Sequence, residues 1–147
     1  MADFRIRRAA SQDFPAIRRL IRQARINPMA LDWHRFVVAV DVGNRLLGCG
    51  QLKPHGGGIT ELASIAVLPD YRQRGIARAL IEDLIATAPR PLYLTCRSSL
   101  KSFYEKWQFR ALELPDMPPY YRKLVRAMSM VGKLFMRDER LLVMALK

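Results

Sequence analysis

The sequence predicts a layered α/β chain built around a mostly antiparallel sheet with parallel strands in the middle. Three observations carry this. Strand-like apolar runs and amphipathic helical stretches follow in the order strand, helix, hairpin, long strand, helix, strand, helix, strand, helix, strand. The DVGN turn between RFVVAV and RLLGCGQL fixes an antiparallel pair. A length of 147 residues, 50% of them hydrophobic, suits one core and a single domain over 1–147, with no internal repeat, linker or low-complexity tract.

The elements follow in order. FRIRR, from Phe4 to Arg8, alternates as a short strand. Ser11 is placed to cap a helix that carries Phe14, Ile17, Ile21 and Ala24 on one face and Arg18, Arg19, Arg22 and Arg25 on the solvated remainder. After the Asn27-Pro28 break come the hairpin strands, and Gly56, Gly57 and Gly58 read as a second hairpin turn. No GxxxxGK[ST] or strand-led GxGxxG supports a phosphate loop at those glycines, and the residues after them, ITELASIAVL, read as a strand. From Arg74 to Ala88 the residues Ile76, Ala77, Leu80, Ile81, Leu84, Ile85 and Ala88 recur at helical spacing, opposite Arg78, Glu82 and Asp83, so this helix lies on a sheet. Pro89 and Pro91 end it. LYLTC is a fifth strand, SSLKSFYEKWQF a short helix capped by Ser98 or Ser99, Tyr120 to Phe135 a basic helix, and RLLVMAL the last strand.

Charge is the unusual quantity. Lys and Arg number 25 against 13 Asp and Glu, a net of +12, which attracts nucleic acid, anionic membrane or phosphorylated ligands. Cys49 and Cys96 lie in apolar strand-like runs and read as buried thiols of a reducing compartment. No His, Cys and Asp cluster has metal-ligand spacing, so no metal is expected. MADFRIRRAA lacks the apolar core of a signal peptide and no run reaches membrane-span length, which points to the cytoplasm.

One stretch carries the chemistry. In SIAVLPDYRQRGIARALIEDLI, residues 64–85, a buried strand leads through Pro69-Asp70-Tyr71 to arginines gathered where a helix begins. A helix N-terminus already holds unpaired N–H groups and the positive end of the dipole, so more positive charge there implies an anionic ligand. Small residues at Gly75 and Ala77 let that ligand approach the backbone, and Arg72 and Arg74 with the helix end suit a pyrophosphate.

VLPDYRQRGIARAL resembles the acetyl-CoA signature of the GNAT superfamily of N-acyltransferases, Arg/Gln-x-x-Gly-x-Gly/Ala, here Arg72-Gln73-Arg74-Gly75-Ile76-Ala77. Phe103-Tyr104-Glu105-Lys106-Trp107-Gln108-Phe109 is similar to the family's FYEKxGF segment, with Gln108 in place of the usual Gly and Arg97 where many members carry Asn. The resemblance covers about Phe4 to Phe109 and a closing strand near Leu141. It implies a GNAT-like α+β fold with a sheet of about six to seven strands flanked by helices on both faces. It also implies acetyl transfer from acetyl-CoA to a primary amine by direct attack in a ternary complex. The implied cofactor-binding residues are Ile65, Ala66 and Val67, whose backbone lies beside the pantetheine and faces the thioester oxygen, and Arg72, Gln73, Arg74, Gly75, Ile76, Ala77 and Arg78.

In the same resemblance Tyr104 takes the position of the acid that protonates the CoA thiolate; otherwise it is a core aromatic beside Phe103. Glu61, eleven residues before Arg72, is at the offset of a general base in some members; otherwise it is a surface residue at a strand end. His55 and His34 are weaker candidates for the base. Cys96 lacks a His or acid at matching spacing for nucleophilic catalysis.

The segment 110–147 is the substrate-side connection and last strand. Within it Tyr120, Leu124, Ala127, Met128, Val131 and Phe135 share one helical side, while Arg122, Lys123, Arg126 and Lys133 decorate others. That helix packs on the sheet, lines an acceptor pocket, or lies on anionic lipid. Basic charge near the acceptor would favour an anionic acceptor, small molecule or protein, over a polycation. Two other classes compete with the enzyme reading. One is a nucleic-acid-binding module using RQRGIARALIEDLI, against which Glu82 and Asp83 stand on the exposed face; the other is a CoA-binding sensor without turnover. RLLVMAL as a hydrophobic edge strand leaves both a monomer and a homodimer open.

Overall fold

Four strands of the first half of the chain form consecutive antiparallel pairs: β1 (Arg5–Arg8), β2 (Phe36–Val40), β3 (Leu46–Gly56) and β4 (Ile59–Val67). The computed structural model describes residues 3–135 and 140–147. The chain divides into two units, Met1–Ala88 and Pro89–Lys147. Both hairpins of the first unit were legible from their turns. Gly56, Gly57 and Gly58 all have positive φ, which explains why three glycines stand where β3 reverses into β4.

The continuous apolar run of β2 is buried at all five positions because helices cover both faces. On one face lies α1 (Phe14–Gln23), whose Ile17, Leu20 and Ile21 pack on Phe36, Val38 and Cys49. Arg18, Arg19, Arg22 and Arg25 point into solvent as expected. On the other face lies α2 (Ile76–Thr87), with Ile76, Leu80, Ile81 and Leu84 buried. Glycines in β3 make that approach close. A Cβ on Gly48 would sit 3.0 Å from the Ala66 carbonyl and 3.1 Å from Ile76 Cγ2.

The start of α1 differs from the expectation. A 3-10 turn at Ser11–Asp13 precedes the helix, and the Ser11 side chain makes no cap. Asp13, at the N-cap of α1, makes no side-chain cap bond to the helix either and bonds backward: its Oδ2 accepts from the Ala10 N–H at 2.7 Å and from Arg7 Nη1 at 2.7 Å, while Oδ1 accepts from Arg7 Nη2 at 3.0 Å. The bidentate guanidinium and the Ala10 N–H occupy the Asp13 carboxylate.

The second unit contains β5 (Leu92–Arg97), α3 (Lys101–Glu105), β6 (Arg110–Ala111), α4 (Pro119–Phe135) and β7 (Leu141–Leu146). β7 pairs antiparallel with β5 on one side and β6 on the other, so RLLVMAL is an inner strand and not the expected edge. Ser98 and Ser99 do not cap α3. A 3-10 turn at Ser98–Leu100 leads into it, and Ser98 bonds instead to Arg140: the Ser98 N–H donates to the Arg140 carbonyl at 2.9 Å, and Ser98 Oγ accepts from the Arg140 N–H at 3.2 Å.

The inward side of α4 is turned by one residue from the predicted one. Tyr121 is fully buried against Tyr93, ring centroids 5.4 Å apart, while Tyr120 is 41% exposed. Leu124, Val125 and Met128 continue the inward side and Ala127 is exposed. The expected roles of Val131, Lys133 and Phe135 lie outside the described side chains. Among the described residues the strands total seven and the helices four, every registered ladder within each unit is antiparallel, and the mostly antiparallel α+β class is the expected one.

Arg7, then the Ala10 N–H, hold the Asp13 carboxyl below its ordinary range against the opposing effect of burial. A depressed folded-state value means stability present above the unfolded pKa and lost as pH falls through the folded one. Asp13→Asn should therefore cost about 1–3 kcal/mol in urea unfolding at neutral pH. The gap from wild type should narrow as the medium is acidified; an unchanged gap would remove the ion pair as its source.

Candidate functional site

The β3–β4 ladder is interrupted where the site begins. Cys49 faces Ala66 and Gln51 faces Ala63, so Gly50 alone opposes both Ser64 and Ile65. This is a β-bulge, with Ser64 at φ 60 in the left-handed region. A Cβ on Gly50 would lie 2.5 Å from Ile65 Cδ1 and 3.0 Å from Leu84 Cδ1, so these two side chains close over the glycine. Gln51, 1% exposed, donates from Nε2 to Ser64 Oγ at 2.8 Å and thereby holds the bulge; among the described residues its Oε1 has no hydrogen-bond partner.

β4 then runs through Ile65, Ala66 and Val67 into a 3-10 turn at Pro69–Tyr71. Gln73 (φ 63) and Gly75 (φ 83) both adopt left-handed backbone and turn the chain into α2. A Cβ on Gly75 would meet nothing within 4 Å, so glycine serves the conformation and leaves open space outside it. The Ala79 N–H is bonded to the Gly75 carbonyl at 3.0 Å, which leaves the N–H groups of Ile76, Ala77 and Arg78 ahead of the helical ladder. Arg72 and Arg74 are exposed here. Arg72 Nε donates to the Val67 carbonyl at 3.3 Å, and Arg74 Cζ stands 5.0 Å from the Tyr71 ring centroid. Arg78 is ion-paired with Glu82 at 2.9 Å on the exposed side of α2, where Asp83 also lies. This donor set fits a pyrophosphate: main-chain N–H groups, two guanidinium groups and no side chain filling the space over Gly75.

Glu61 is not a surface residue at a strand end. Its Oε1 lies 2.5 Å from His55 Nε2, and the two side chains are only 13% and 10% exposed. From the sequence His55 and Glu61 are separate candidates for the base; the structure makes them a pair. The signal was available in the short turn between them, since Lys53 faces Glu61 across the ladder and His55 follows two residues on along the same face. His34 is elsewhere, 68% exposed, stacked on Trp33 and bonded to Asp32 Oδ1 at 2.7 Å.

In the second unit Tyr104 follows the first turn of α3, packed among Phe103, Trp107 and Phe109 at centroid distances of 5.1, 6.4 and 6.1 Å. Burial, with Cys96 adding to it, pushes the phenol up to about 12. It is therefore a hydroxyl donor throughout the neutral range.

The family model for the GNAT acetyltransferase family matches residues 4–109. The chain belongs to that family. Acetyl-CoA is the cofactor of GNAT acetyltransferases, and the matched span includes β1 to β5, α1 to α3 and both motifs. No curated protein matches the sequence. Among solved structures, N-acetylglutamate synthase from Neisseria gonorrhoeae, complexed with coenzyme A and N-acetyl-glutamate, aligns over 100% of this chain with a TM-score of 0.73 and 23% identity. The chain spans only 36% of that protein's length, and 33% of the same synthase complexed with coenzyme A and L-arginine. A Mycobacterium tuberculosis protein in complex with CoA aligns over 97% of this chain and 99% of its own, at TM-score 0.72 and 20% identity. A GCN5-related N-acetyltransferase from Kribbella flavida gives 0.66 and 20% over 98% and 97%. These likenesses establish the GNAT fold.

Against the GNAT pattern, Gln108 holds the usual glycine position at φ 74, so a side-chain-bearing residue carries the left-handed turn after α3. That conformation costs roughly 1 kcal/mol or more beyond glycine. Arg97 closes β5 where many members have Asn.

The two thiols are poor nucleophiles. Burial pushes Cys49 up to about 12 and Cys96 up to about 11. Neither should react with a disulfide reagent in the native protein at mildly alkaline pH, and both should react once the chain is unfolded. Fast labelling of Cys96 in the native state would reopen a covalent route.

Proposed function

We propose that residues 1–147 work as one cytoplasmic N-acetyltransferase domain, moving an acetyl group from acetyl-CoA to a primary amine by direct attack in a ternary complex. The observation that carries the reading is the start of α2: left-handed Gly75, the N–H groups of Ile76 to Arg78, and exposed Arg72 and Arg74, all inside the span matched to the family. The unpaired thiols support a reducing compartment. Among the described residues no helix is long and apolar enough to cross a membrane.

Acetyl-CoA supplies an activated acyl thioester; the protein's part is to bind, orient and handle protons. Backbone N–H groups at the α2 start and the side chains of Arg72 and Arg74 take the pyrophosphate charge, with Gln73 and Arg78 at its flank. The β4 backbone from Ile65 to Val67 offers main-chain donors where negative charge develops on a carbonyl oxygen; such donors never titrate. Glu61, bonded to His55, accepts the proton of the attacking amine directly or through water. Tyr104 donates toward the departing sulfur. With its pKa at about 12, well above an ordinary thiol's ~8.5, a hydrogen bond is favoured over complete proton transfer.

The charge balance favours an acceptor bearing carboxylates. The chain has a net of +12, and one structural relative acts on glutamate chemistry, being an N-acetylglutamate synthase. A nucleic-acid reading is disfavoured because the outer side of α2 presents Glu82 and Asp83, with Arg78 already paired.

Calorimetric titration with acetyl-CoA should show binding that an Arg72→Ala, Arg74→Ala double variant loses, weakened at least roughly tenfold. A folded wild type that binds nothing would sink the reading. Thiol release from acetyl-CoA across a panel of amines provides the turnover assay. In it, Tyr104→Phe should slow turnover by about 10²-fold while acetyl-CoA binding is retained. Unchanged turnover would take the donor role from Tyr104 and leave it a packing residue.

A further inference from the structure

We propose that Arg45, held on the Tyr71 ring beside Arg74, forms a subsite for the 3′-phosphate of coenzyme A. The proposal rests on the acetyl-CoA reading above and adds a residue from outside both sequence motifs.

Arg45 leaves the turn between β2 and β3. Its Cζ stands 5.7 Å from the Tyr71 ring centroid, and its Nη1 donates to Tyr71 Oη at 3.4 Å. Arg74 Cζ is 5.0 Å from the same centroid. One aromatic ring thus gathers two guanidinium groups from segments 29 residues apart in sequence (74 − 45). Both are exposed, and among the described residues neither forms an ion pair, whereas Arg7, Arg35 and Arg78 each have a carboxylate partner. Two exposed guanidinium groups on one ring concentrate positive charge that an anion would balance. Asp70, the acidic neighbour of Tyr71, is exposed and bridges neither of them.

The turn that presents Arg45 is fixed. Asp41 Oδ1 accepts from the N–H groups of Gly43 at 2.9 Å and Arg45 at 2.8 Å, and the Asp41 N–H donates to the Arg45 carbonyl at 3.0 Å. The carboxylate nearest in sequence to Arg45 is therefore committed to backbone. Asn44 accepts from Arg7 Nη2 at 2.9 Å, tying the turn to β1. The guanidinium is held in place before any ligand arrives, which lowers the ordering cost of binding.

The choice of phosphate follows from charge accounting. Main-chain N–H groups with Arg72 and Arg74 already match the pyrophosphate. Arg45 adds a cation from a separate element, beyond what that group needs. Coenzyme A carries one further phosphate, a monoester of charge about −1.5 to −2 at neutral pH. Its oxygens match a guanidinium fork.

The test compares acetyl-CoA with 3′-dephospho-acetyl-CoA by calorimetry on wild type and Arg45→Ala. Wild type should bind acetyl-CoA roughly tenfold more tightly than the dephospho form. Arg45→Ala should erase most of that preference and leave dephospho affinity unchanged, and the wild-type preference should shrink at high salt. Equal, tight wild-type binding of the two ligands would overturn the subsite and leave the acetyl-CoA reading standing. A variant that weakens both ligands alike would make Arg45 a support for the Tyr71 turn and also overturn it. Wild type that binds neither ligand would overturn the acetyl-CoA reading and this subsite together.

Discussion

The extra residue opposite Gly50 decides which side chains of β4 share a face. Side chains along a strand alternate, so in an unbroken β4 the residues Glu61 and Ala66 would point to opposite sides of the sheet. The bulge at Ser64 and Ile65 shifts the parity by one. Ala66 faces Cys49 on the α1 side, and so do Ala63, opposite Gln51, and Glu61, opposite Lys53. His55, two residues beyond Lys53, then reaches Glu61 on that side, while Leu62 and Leu52 turn toward α2. Ser64 bears the cost, roughly 1–2 kcal/mol for a left-handed non-glycine residue. The Gln51 to Ser64 bond and the absent side chain at Gly50 offset it. Every role proposed for β4 depends on that shift, from the main-chain donors at Ile65–Val67 to the carboxylate at Glu61.

The positive charge of the chain is put to more than one use. On α1 the arginines are a solvated face, Arg18 lying over the Phe14 ring at 4.8 Å. Arg7 is structural, its guanidinium spanning Asp13 and Asn44. Around Tyr71, guanidinium groups that among the described residues have no carboxylate partner converge with a helix N-terminus. Net charge by itself attracts any polyanion. What narrows the ligand class is convergence with main-chain N–H groups, and the acids Glu82 and Asp83 on the outer side of α2 disfavour a polyanion on that face.

Much of this was legible from local pattern. The turns at DVGN and GGG fixed two antiparallel pairs, and the spacing from Ile76 to Leu84 marked a helix with one buried side. The failures share a cause. Ser11 looks like a cap, but a 3-10 turn stands between it and α1, and the Asp13 carboxylate that follows is held by Arg7, a residue of β1. Ser98 looked like another, but its partner is Arg140, which follows α4. RLLVMAL looked like an edge because the two-residue β6 is too short to carry a pattern. Tyr120 and Tyr121 are adjacent and chemically alike, and only the position of Tyr93 decides which is buried. The bulge left no mark at Ser64, an ordinary strand residue; its trace was Gly50 on the partner strand, visible only once register is known.

The chemistry assigned to the donor half of the reaction uses groups that do not change protonation near neutral pH. Backbone N–H groups do not ionise in this range, and the Tyr104 phenol sits at about 12. The thiols at about 12 and about 11 are likewise silent. The protein's own part in holding acetyl-CoA and stabilising the leaving group would then vary little across the physiological range. The acceptor half differs, because an amine must lose a proton to attack and the buried His55–Glu61 pair is the proposed place for it. Holding a polar pair largely out of water costs desolvation that apolar packing would not. A role in moving that proton gives the chain a reason to keep it.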